Sequence, residues 1–496
     1  MKILIQCGDH FENQSRVFLL AKEIYKAGHD PVILMYKPSK GNIFKNNGIQ
    51  VVALNQYFST AQEKIKFDTI LYKDIKVKDF LEVEGQRRPQ ITWPSQQEKT
   101  AASLKRHVDA VLSVLQEVKP DRVVIWNGFT GYVANALRKI CEVDKVPCAF
   151  LERGLFKDSI FIDYQGVNGA ASINTINPEV FIPVDQHSDD FLYLDQCFQL
   201  NASAESQSSG KDDDFVGKRI VFFPLQVQLD TNIVLYSPYK TMRHAFFKIY
   251  EALNDENTLF VLRPHPEENP DQKLNIPKLD NVIVSTEQSL DYWIDQCDVV
   301  VTINSTVGLE ALIKHKPVVC LGGSIYSAFP YLASLDQLVT DRQKTRQSIT
   351  GYLRYLMQNN ILKSDSPWRD LLVRKQLNIS DLGSITRLLP IDQVKKDVND
   401  WLSSHEVVLD VYLTFSFDKR LNLTYRKHDE AMNKAWIEGL LQQLLGTHDY
   451  QMRVDRLKST ADIMVIDEDQ AFRPDQATVI IDTYGNLMSF KGRVLV

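Results

Sequence analysis

The sequence has few cysteines, no long apolar run and no excess of positive charge, and each of these features argues against a class of protein. Its six cysteines include no Cys-x-x-Cys pair, which favours reduced, buried thiols in a cytosolic protein over disulfides or a zinc site. No stretch approaches the roughly 18 consecutive apolar residues of a membrane span. The formal net charge of −6 gives no support to general nucleic-acid binding, which usually shows a basic face.

Motifs of some common enzyme classes are missing as well. No Gly-x-Gly-x-x-Gly fingerprint occurs, which disfavours a dinucleotide-dependent oxidoreductase. Histidines and cysteines do not cluster along the chain, so a metal site is not expected. The apolar start at Lys2–Gln6 is too short for the hydrophobic core of a signal peptide and predicts a first strand.

What the chain does contain is the composition and patterning of a large α/β protein. Of its 496 residues, 44% are hydrophobic and 24% are charged, and a chain of this length normally forms two or three domains. Short apolar runs that predict buried strands alternate with longer stretches that predict helices. Alternation of this kind is typical of mostly parallel, doubly wound sheets.

The predicted elements fall into two series on either side of a small, polar linker at 202–214. The first series has strands at Lys2–Gln6, Pro31–Met35, Arg122–Trp126 and Pro147–Leu151, and helices near Ser15–Ala27, Lys99–Val118 and Tyr132–Val143. The second has strands at Arg219–Phe223, Thr258–Leu262, Val282–Ser285, Val299–Ile303 and Pro317–Leu321, and helices at Tyr239–Leu253, Ser289–Gln296 and Val307–Lys314. We therefore expect two Rossmann-like domains, at 1–205 and 215–400, with a cleft between them.

Residues 401–496 do not continue the regular alternation of strands and helices, and they predict a small C-terminal α/β extension. Strands are expected at Val407–Phe415 and Ala477–Asp482, and a helix is expected at Asp429–Leu445. No catalytic signal occurs in this segment, so its role stays open.

Two polar motifs stand directly after buried strands of the second series. Arg263-Pro-His265-Pro follows one strand, and the Asn-Ser-Thr-Val-Gly-Leu-Glu stretch at 304–310 follows another and leads into a helix. Ligands of open α/β sheets bind beyond the carboxyl ends of the strands, and a helix that begins there favours an anion. The two motifs together predict a site for a phosphate-bearing ligand and hence a nucleotide-handling enzyme.

Each of the two motifs has a chemical use and a purely structural alternative. The prolines stiffen the turn that carries the arginine and the histidine, although a simple surface turn would look the same. In the second motif, the first three side chains are natural helix caps and the glycine lets a ligand approach the backbone. Its glutamate lies one position too far on for a capping box, so its carboxylate is available to a ribose hydroxyl. The predicted donor-side residues are Arg263, Asn304, Ser305, Thr306, Gly308 and Glu310.

Two carboxylates follow strands that we expect to face one cleft from opposite sides. Gln226, Gln228 and Asp230 alternate with apolar residues, which favours a carboxylate that is kept ionised by amides and attacks an anomeric carbon. An exposed edge with an Asx-turn is the alternative. Glu152, next to Arg153, ends a strand of the first series, where a simple ion pair is the alternative. Two carboxylates on opposite walls are what a double displacement on a glycoside needs.

Two further strand ends belong to the first series. Trp126 and Asn127 end one strand, and Asp9 and His10 follow the first strand of the chain. Because carboxyl ends of parallel strands share one edge of a sheet, these four residues are expected to line the acceptor side of the cleft.

The order of these motifs resembles that of bacterial capsule and O-antigen synthesis proteins, the retaining β-Kdo (3-deoxy-D-manno-oct-2-ulosonic acid) glycosyltransferases. The motifs are Trp-Asn-Gly at 126–128, Leu-Glu-Arg-Gly at 151–154, Gln-x-Gln-x-Asp-Thr-Asn at 226–232, Arg-Pro-His-Pro at 263–266 and Asn-Ser-Thr-Val-Gly-Leu-Glu-Ala at 304–311. The resemblance covers about residues 1–400. Its His-Pro and Ser/Thr elements are shared with bacterial sialyltransferases, which also use CMP-sugars, and the Gln-x-Gln-x-Asp-Thr-Asn stretch is the more discriminating one.

The resemblance implies the two-domain GT-B arrangement, CMP-β-Kdo as the donor and no metal or other cofactor. Asp230 would be the nucleophile that forms a covalent Kdo adduct, and Glu152 would be the acid/base for the acceptor hydroxyl. Donor contacts would come from His265, Ser305 and Thr306 at the CMP phosphate, from Glu310 at the ribose, and from Arg153 or Arg263 near the sugar carboxylate. These cations would offset the repulsion between that carboxylate and the nucleophile.

The remaining expectations concern partners and alternatives. The resemblance implies a lipid-linked or oligosaccharide acceptor, a cytoplasmic location with peripheral attachment to the inner membrane face, and a place in a polysaccharide assembly complex. An inverting CMP-sugar transferase of the sialyltransferase type stays open, because it needs a base but no nucleophile. A sugar-nucleotide epimerase, a polyol-phosphate transferase and a non-catalytic nucleotide-sugar-binding protein stay open as well.

Overall fold

A computed structural model describes most of the chain up to Ile379 and six strands beyond it. It leaves out residues 9, 40–41, 60–63, 202–210, 228–229, 240, 267–277 and, from 380 onward, everything outside those strands. The chain divides into two compact units. One consists of residues 1–56 and 380–496, and the other of residues 57–379.

The first segment of the chain is a parallel three-stranded sheet with its helices. Its elements in chain order are β1 (Lys2–Gln6), α1 (Phe11–Lys26), β2 (Asp30–Met35), α2 (Ile43–Asn46) and β3 (Gln50–Ala53). Strand β2 lies between β1 and β3, and both pairings are parallel. The apolar residues Ile3, Leu4 and Ile5 are fully buried, as the continuous apolar run of a parallel strand predicts.

The second unit begins with the remaining strands of the first predicted series. Its first elements are β4 (Ile70–Tyr72), β5 (Ile75–Lys76), α3 (Lys78–Arg87), α4 (Gln97–Val118), β6 (Arg122–Trp126), α5 (Tyr132–Asp144), β7 (Cys148–Arg153), β8 (Ile160–Asp163) and α6 (Asp189–Phe198). Strands β6 and β7 are parallel, whereas β8 runs antiparallel to β7. Helix α4 buries Leu104, Val108 and Val111, which lie on one face because they are three and four residues apart.

The second sheet of this unit is fully parallel. Its elements are β9 (Arg219–Pro224), α7 (Thr231–Tyr236), α8 (Met242–Leu253), β10 (Thr258–Arg263), β11 (Val282–Val284), α9 (Leu290–Gln296), β12 (Val299–Thr302), α10 (Val307–Ile313) and β13 (Val318–Cys320). The strand order is β11-β10-β9-β12-β13. The chain therefore starts in the middle of the sheet, builds outward to one side and returns to build the other, which creates a switch point between β9 and β12.

The end of the second unit returns to the strands β6, β7 and β8 of the same unit. Helix α11 (Arg342–Asn359) leads into β14 (Ile361–Leu362), which pairs antiparallel with β8, and α12 (Arg369–Leu377) follows. The fully buried carboxylate of Asp163, at the end of β8, stabilises the packing of β14 against β8. It accepts hydrogen bonds from the side-chain amide of Asn360 at 2.8 Å and from the Ser172 hydroxyl at 2.6 Å. The backbone N–H groups of Gln165 and Gly166 donate to it as well.

Six strands are described in the C-terminal segment. They are β15 (Leu409–Thr414), β16 (Tyr450–Arg453), β17 (Ala461–Ile466), β18 (Ala477–Asp482), β19 (Leu487–Phe490) and β20 (Arg493–Val494). They form a sheet in the order β16-β15-β17-β18-β19-β20. The two predicted strands of this segment are present, one of them two residues shorter at its start than expected, and the predicted helix at 429–445 lies outside the described residues.

The α/β fold class and the parallel sheets predicted from the sequence are confirmed. Most predicted strands and helices lie within a few residues of the observed ones, but several observed elements were not predicted, among them β3, α3, α6, β8, α7, α11 and β14. Residues 202–210 of the predicted linker lie outside the described residues. Lys211, the next residue of the linker, forms an ion pair with Asp298 at 2.6 Å. The C-terminal end of the linker is therefore held against the parallel sheet. The predicted domain boundaries stay a prediction. Within the described parts, no helix has the length and apolarity that a membrane crossing needs.

Candidate functional site

A pocket of about 270 Å³ lies at the switch point of the parallel sheet. The segments that follow β9 and β12 form one wall, and the end of β7 forms part of the other. Ligands of open α/β sheets bind at such a point because the connections on either side leave in opposite directions. The polar residues that line this pocket include Glu152, Arg153, Asn168, Gln226, Asp230, Asn232, His265, Asn304, Ser305 and Thr306.

Asp230 lines the pocket and is also the N-cap of helix α7. Its side chain accepts a hydrogen bond from the backbone N–H of Asn232 at 2.7 Å, as short polar side chains do at helix starts. Its backbone N–H donates to the carbonyl of Val227 at 3.2 Å. The Asx-turn that the sequence offered as the structural alternative is therefore formed, and it fixes the direction of a carboxylate that still faces the pocket.

A chain of amides connects the strand ends around Asp230. The side chain of Gln226 donates to the side chain of Asn304 at 2.9 Å and accepts from the Asn304 backbone N–H at 3.2 Å. The Asn304 amide in turn donates to the Asn232 carbonyl at 2.9 Å, and Asn168 donates to the Asn232 side chain at 2.5 Å. Gln226 was expected to hold a carboxylate, but it pairs with Asn304 because the two residues follow adjacent strands.

Glu152, near the end of β7, is a half-buried carboxylate on the wall opposite Asp230. It accepts hydrogen bonds from the side-chain amide of Asn127 at 3.1 Å and from the backbone N–H of Arg153 at 3.0 Å. Burial raises the pKa of Glu152, these two hydrogen bonds lower it, and the charge of Asp230 raises it again, with a net increase. The two carboxylates thus interact electrostatically, and the proton on Glu152 is held more tightly than usual.

Ser305 and Thr306 form the side of the pocket near β12. Of the three expected caps, the Ser305 hydroxyl accepts from the backbone N–H of Val307 at 3.3 Å, while the Thr306 side chain makes no capping bond. The Ser305 carbonyl also accepts from the Tyr326 hydroxyl at 2.5 Å. Ser305 is therefore held rigidly, and the exposed Thr306 hydroxyl faces the pocket without serving the helix.

Three predicted donor-side residues do not line this pocket. Arg263 donates to the carbonyl of Gln288 at 3.3 Å. Glu310 lies near Asp291 and Lys314; desolvation of its carboxylate raises its pKa, as does Asp291, whereas Lys314 lowers it. Gly308 is buried, and a Cβ there would fall 2.2 Å from the Tyr326 hydroxyl. The absence of a side chain at Gly308 thus makes room for Tyr326. The donor-binding roles of Arg263, Glu310 and Gly308 stay predictions.

The remaining predicted residues differ in where they lie. Asp9 and Gln228 are outside the described residues. His10 belongs to the first unit, where it is the N-cap of α1. Trp126 is half-buried at the end of β6 and does not line the pocket, whereas Asn127 acts on the pocket through its hydrogen bond to Glu152. Among the side chains described, no group of three or more histidines, cysteines, aspartates and glutamates could hold a metal ion; metal independence stays a prediction.

Asn168 and Tyr326 are among the pocket residues that the sequence reasoning missed. Asn168 precedes Gly169 and has a left-handed backbone, with φ of 52°, and an Asn-Gly pair is a turn signal. That signal predicts a turn but not its contact with Asn232, which is 64 residues away. Tyr326, fully buried below Gly308, lies in a segment with no motif at all.

Comparisons with known proteins find relatives of part of the chain. Residues 200–365 match the family model of the capsule polysaccharide biosynthesis proteins. The chain is 28% identical over 207 residues to Protein FixF of Sinorhizobium fredii, a match that covers 41% of this chain and 49% of FixF. It is 31% identical over 137 residues to the lipopolysaccharide-processing protein LpsZ of Rhizobium meliloti, which covers 26% of this chain and 28% of LpsZ.

Among solved structures, KpsC, a beta Kdo 2,7 transferase of Thermosulfurimonas dismutans, is similar at 22% identity and a TM-score of 0.32. That match covers 49% of this chain and 79% of the KpsC chain. The match spans about half the length of FixF, and it spans less than a third of the length of LpsZ. The predicted resemblance to bacterial capsule and lipopolysaccharide synthesis proteins is confirmed, and it is carried by the part of the chain that contains Asp230, His265 and Thr306.

Proposed function

We propose that the protein is a retaining glycosyltransferase that moves β-Kdo from CMP-β-Kdo to a bacterial surface-glycan acceptor. The observation that carries this proposal is that Asp230, Glu152 and His265 line one pocket at the switch point of the sheet. A double displacement needs one carboxylate as nucleophile and a second as acid/base. A CMP-sugar also needs polar groups at its phosphate, and Ser305 and Thr306 line the same pocket.

In the first step, Asp230 attacks the anomeric carbon of Kdo. A bond forms between its carboxylate oxygen and that carbon while the bond to the CMP phosphate oxygen breaks, and CMP leaves with the electron pair. His265 and the Thr306 hydroxyl stabilise the departing phosphate, and the exposed guanidinium of Arg153 faces the sugar carboxylate. The N–H of Asn232, 2.7 Å from Asp230, holds the nucleophile in position before the donor arrives.

In the second step, Glu152 takes the proton of the acceptor hydroxyl, whose oxygen attacks the anomeric carbon and releases Asp230. The raised pKa of Glu152 makes its ionised form a stronger base, because basicity rises with pKa. Part of that increase comes from the charge of Asp230. Once Asp230 is esterified in the adduct this charge is gone, so Glu152 ionises more readily at the step that needs a base.

The acceptor belongs to the same proposal. A lipid-linked or oligosaccharide acceptor would meet the protein at the cytoplasmic face of the membrane, and no metal takes part. The first assay therefore combines the full chain with CMP-β-Kdo and a panel of aryl glycosides of Kdo, glucosamine and galactose, with and without EDTA. CMP release, together with the anomeric configuration of the product by NMR, reports the reaction.

The covalent step is tested by intact-protein mass spectrometry with CMP-β-Kdo alone. The wild-type chain should gain the mass of one Kdo residue, and Asp230→Asn should not. Asp158→Asn serves as the matched control because Asp158 is a partly exposed carboxylate paired with Lys363 at 3.6 Å. It should form the adduct as the wild type does.

Each rival function gives its own outcome in these assays. A product of inverted configuration with no adduct would favour an inverting, sialyltransferase-like enzyme. Binding of CMP without release from the donor, over the whole acceptor panel, would favour a non-catalytic nucleotide-sugar-binding protein. Either result would overturn the proposed double displacement.

A further inference from the structure

Asn232, the last residue of the Gln-x-Gln-x-Asp-Thr-Asn motif, has a side chain that the two proposed steps do not use. The residue is half-buried, lies two positions after Asp230 and lines the same pocket. Its backbone is engaged, because the N–H donates to the Asp230 carboxylate at 2.7 Å and the carbonyl accepts from the Asn304 side chain at 2.9 Å. The side-chain amide is therefore the part of Asn232 that can meet a ligand.

The oxygen of that amide is already paired. The Asn232 Oδ1 accepts a hydrogen bond from the Asn168 Nδ2 at 2.5 Å, and Asn168 lies on the segment that follows β8. Asn168 is held in turn, because its backbone carbonyl accepts from the Asn174 side chain at 3.0 Å. Oxygen and nitrogen belong to one planar group, so an amide whose oxygen is fixed directs its two N–H groups to a set position.

The nitrogen of the same amide is available. Within the described residues the Asn232 Nδ2 makes no hydrogen bond. It is also not one of the described polar atoms that are buried without a partner, so a ligand can reach it. Asn232 thus offers two N–H groups that are held in position beside the proposed nucleophile.

The charges around the pocket indicate which kind of ligand group needs such a donor. Arg153 is the one lysine or arginine among the described residues that line the pocket, whereas Glu152 and Asp230 are both carboxylates. The proposed donor brings two more anionic groups, the phosphate and the carboxylate of the sugar. One guanidinium does not offset all of these charges, so we expect N–H groups to bind the anions as well, since hydrogen bonds to charged acceptors are strong.

The nearness of Asn232 to Asp230 favours the sugar carboxylate. In Kdo this carboxylate is attached to the anomeric carbon that Asp230 attacks, and the next ring carbon is a deoxy carbon without a hydroxyl. The polar groups nearest to the new bond are therefore the carboxylate and the ring oxygen. The ring oxygen gains positive charge in an oxocarbenium-like transition state, so a donor at this place is of use only to the carboxylate.

We propose that the side-chain amide of Asn232 donates a hydrogen bond to the carboxylate of the Kdo donor and shares this group with Arg153. This inference rests on the proposed function and adds a residue that selects an acidic sugar. The carboxylate is charged before and during the reaction, so the contact strengthens donor binding more than it lowers the barrier. Asn232 is a specificity residue for the donor sugar.

Asn232→Ala tests the inference in the CMP-release assay. The KM for CMP-β-Kdo should rise about ten- to a hundredfold, as for the loss of a hydrogen bond to a charged group, and kcat should fall by less than about threefold. CMP carries no sugar carboxylate. Its dissociation constant, measured by calorimetry, should therefore change by less than about twofold.

Asn168→Gly is the matched control. It removes the same hydrogen bond to Asn232 but leaves the Asn232 amide in place. Glycine also accepts the left-handed backbone of this position, where φ is 52°. Because the amide is only less firmly oriented, the KM for CMP-β-Kdo should rise by less than about threefold.

Asn232→Asp covers the case in which Asn232→Ala does not fold. It keeps the size of the side chain and an oxygen that accepts from Asn168, but it meets the sugar carboxylate with a like charge, so the KM should rise at least as far. If Asn168→Gly raises the KM as much as the Asn232 variants do, if CMP binding weakens as much as the KM rises, or if the KM does not change, the inference is wrong while the proposed function stands. If the wild type releases no CMP from CMP-β-Kdo, the proposed function fails and this inference fails with it.

Discussion

The acid–base behaviour of Glu152 is set by neighbours that act in opposite directions. Burial raises its pKa and so does Asp230, whereas the N–H of Arg153 and the amide of Asn127 lower it. Asn127 follows β6, the strand next to β7. It has a left-handed backbone with φ of 58°, and its side-chain Oδ1 accepts from the backbone N–H of Phe129 at 3.1 Å. The amide is thus fixed by its own turn.

Replacing Asn127 by leucine should raise the pKa of Glu152 further. The lost hydrogen bond stabilises the ionised carboxylate, so its removal favours the protonated form. Since Glu152 must be ionised to act as the base, the rising limb of the pH profile of kcat/KM should move to higher pH. Thr130→Val is the control, because the Thr130 hydroxyl bonds the other end of the Asn127 amide at 3.3 Å. A limb that stays in place in Asn127→Leu would contradict the base assignment.

Glu84 is a fully buried carboxylate that does not belong to the pocket. It accepts from the backbone N–H of Gly131 at 2.6 Å and forms ion pairs with Arg87 and Arg88. Burial by itself would raise the pKa of Glu84, but these donors lower it to below the ordinary value of 4.5. The contact ties α3 to the residue before α5, so this single side chain links two helices.

Glu84 should make the stability of the protein depend on pH in the acid range. Because its pKa is lower in the folded state, its stabilising effect is present above the ordinary glutamate pKa and is lost as the pH falls through the folded value. Urea denaturation of Glu84→Gln should therefore show lower stability at neutral pH and a flatter fall below pH 4.5 than the wild type. Glu142→Gln, at a largely exposed ion pair with Arg138, should follow the wild-type curve.

At the scale of elements, α7 begins at Asp230, the proposed nucleophile, which is its N-cap. It is only six residues long and gains its stability from its contacts more than from propensity, because short helices are marginal alone. It is held by its N-cap, by the hydrogen bonds of Asn232 with Asn304 and Asn168, and by the contacts of Tyr236 with Gly169 and Gly323. Changes at Asp230 therefore combine a structural and a catalytic effect, which need to be separated.

Comparing Asp230→Asn with Asp230→Ala should separate them. Asparagine is as good an N-cap as aspartate, so Asp230→Asn should lose activity with a change in the free energy of unfolding below about 0.5 kcal/mol. Alanine removes the cap and should cost about 1 kcal/mol in addition. Thermal unfolding and CMP release measure the two effects. Residual activity close to that of the wild type in Asp230→Asn would show that Asp230 is a cap and nothing more.

At the scale of the whole second unit, Asp163 joins residues that are nearly 200 positions apart. Its buried carboxylate receives donors from its own turn, from Ser172 and from Asn360, which precedes β14. Strand β14 has only two residues, too few to hold the returning chain by backbone pairing alone. The pairing of β14 with β8, and with it the wall of the pocket that contains Ile361, depends on this carboxylate.

Asp163→Asn should destabilise the protein strongly although it preserves size. The amide can accept at one oxygen only, so at least one buried donor loses its partner, at about 1–3 kcal/mol per group. We expect a loss of about 2 kcal/mol or more in the free energy of unfolding, measured by urea denaturation. Asp158→Asn removes a partly exposed pair with Lys363 and should change it by less than about 1 kcal/mol. Equal effects of the two variants would show that the buried network is not what holds β14.

The elements and the location of the site followed from local patterns. Apolar runs of four to six residues predicted β9, β10 and β12 nearly to their ends, because a parallel strand is buried on both faces whatever surrounds it. Motifs directly after such strands had to lie at one edge of the sheet. For this reason the meeting of Asp230, His265 and Thr306 at one pocket could be predicted before any coordinates were known.

The tasks of individual side chains were decided by tertiary contacts. Whether Gln226 holds a carboxylate or pairs with Asn304, and whether Gly308 admits a ligand or a tyrosine, depends on groups 78 or 18 positions away. The contact of Asn168 with Asn232 at the pocket and the pairing of β14 with β8 also depend on distant residues. The sequence alone therefore determined the fold class and the edge of the sheet at which the candidate site lies, since periodicity and strand ends are local. Only the folded chain determined which polar groups are used up in packing and which remain for a ligand, since hydrogen-bond partners come from distant segments.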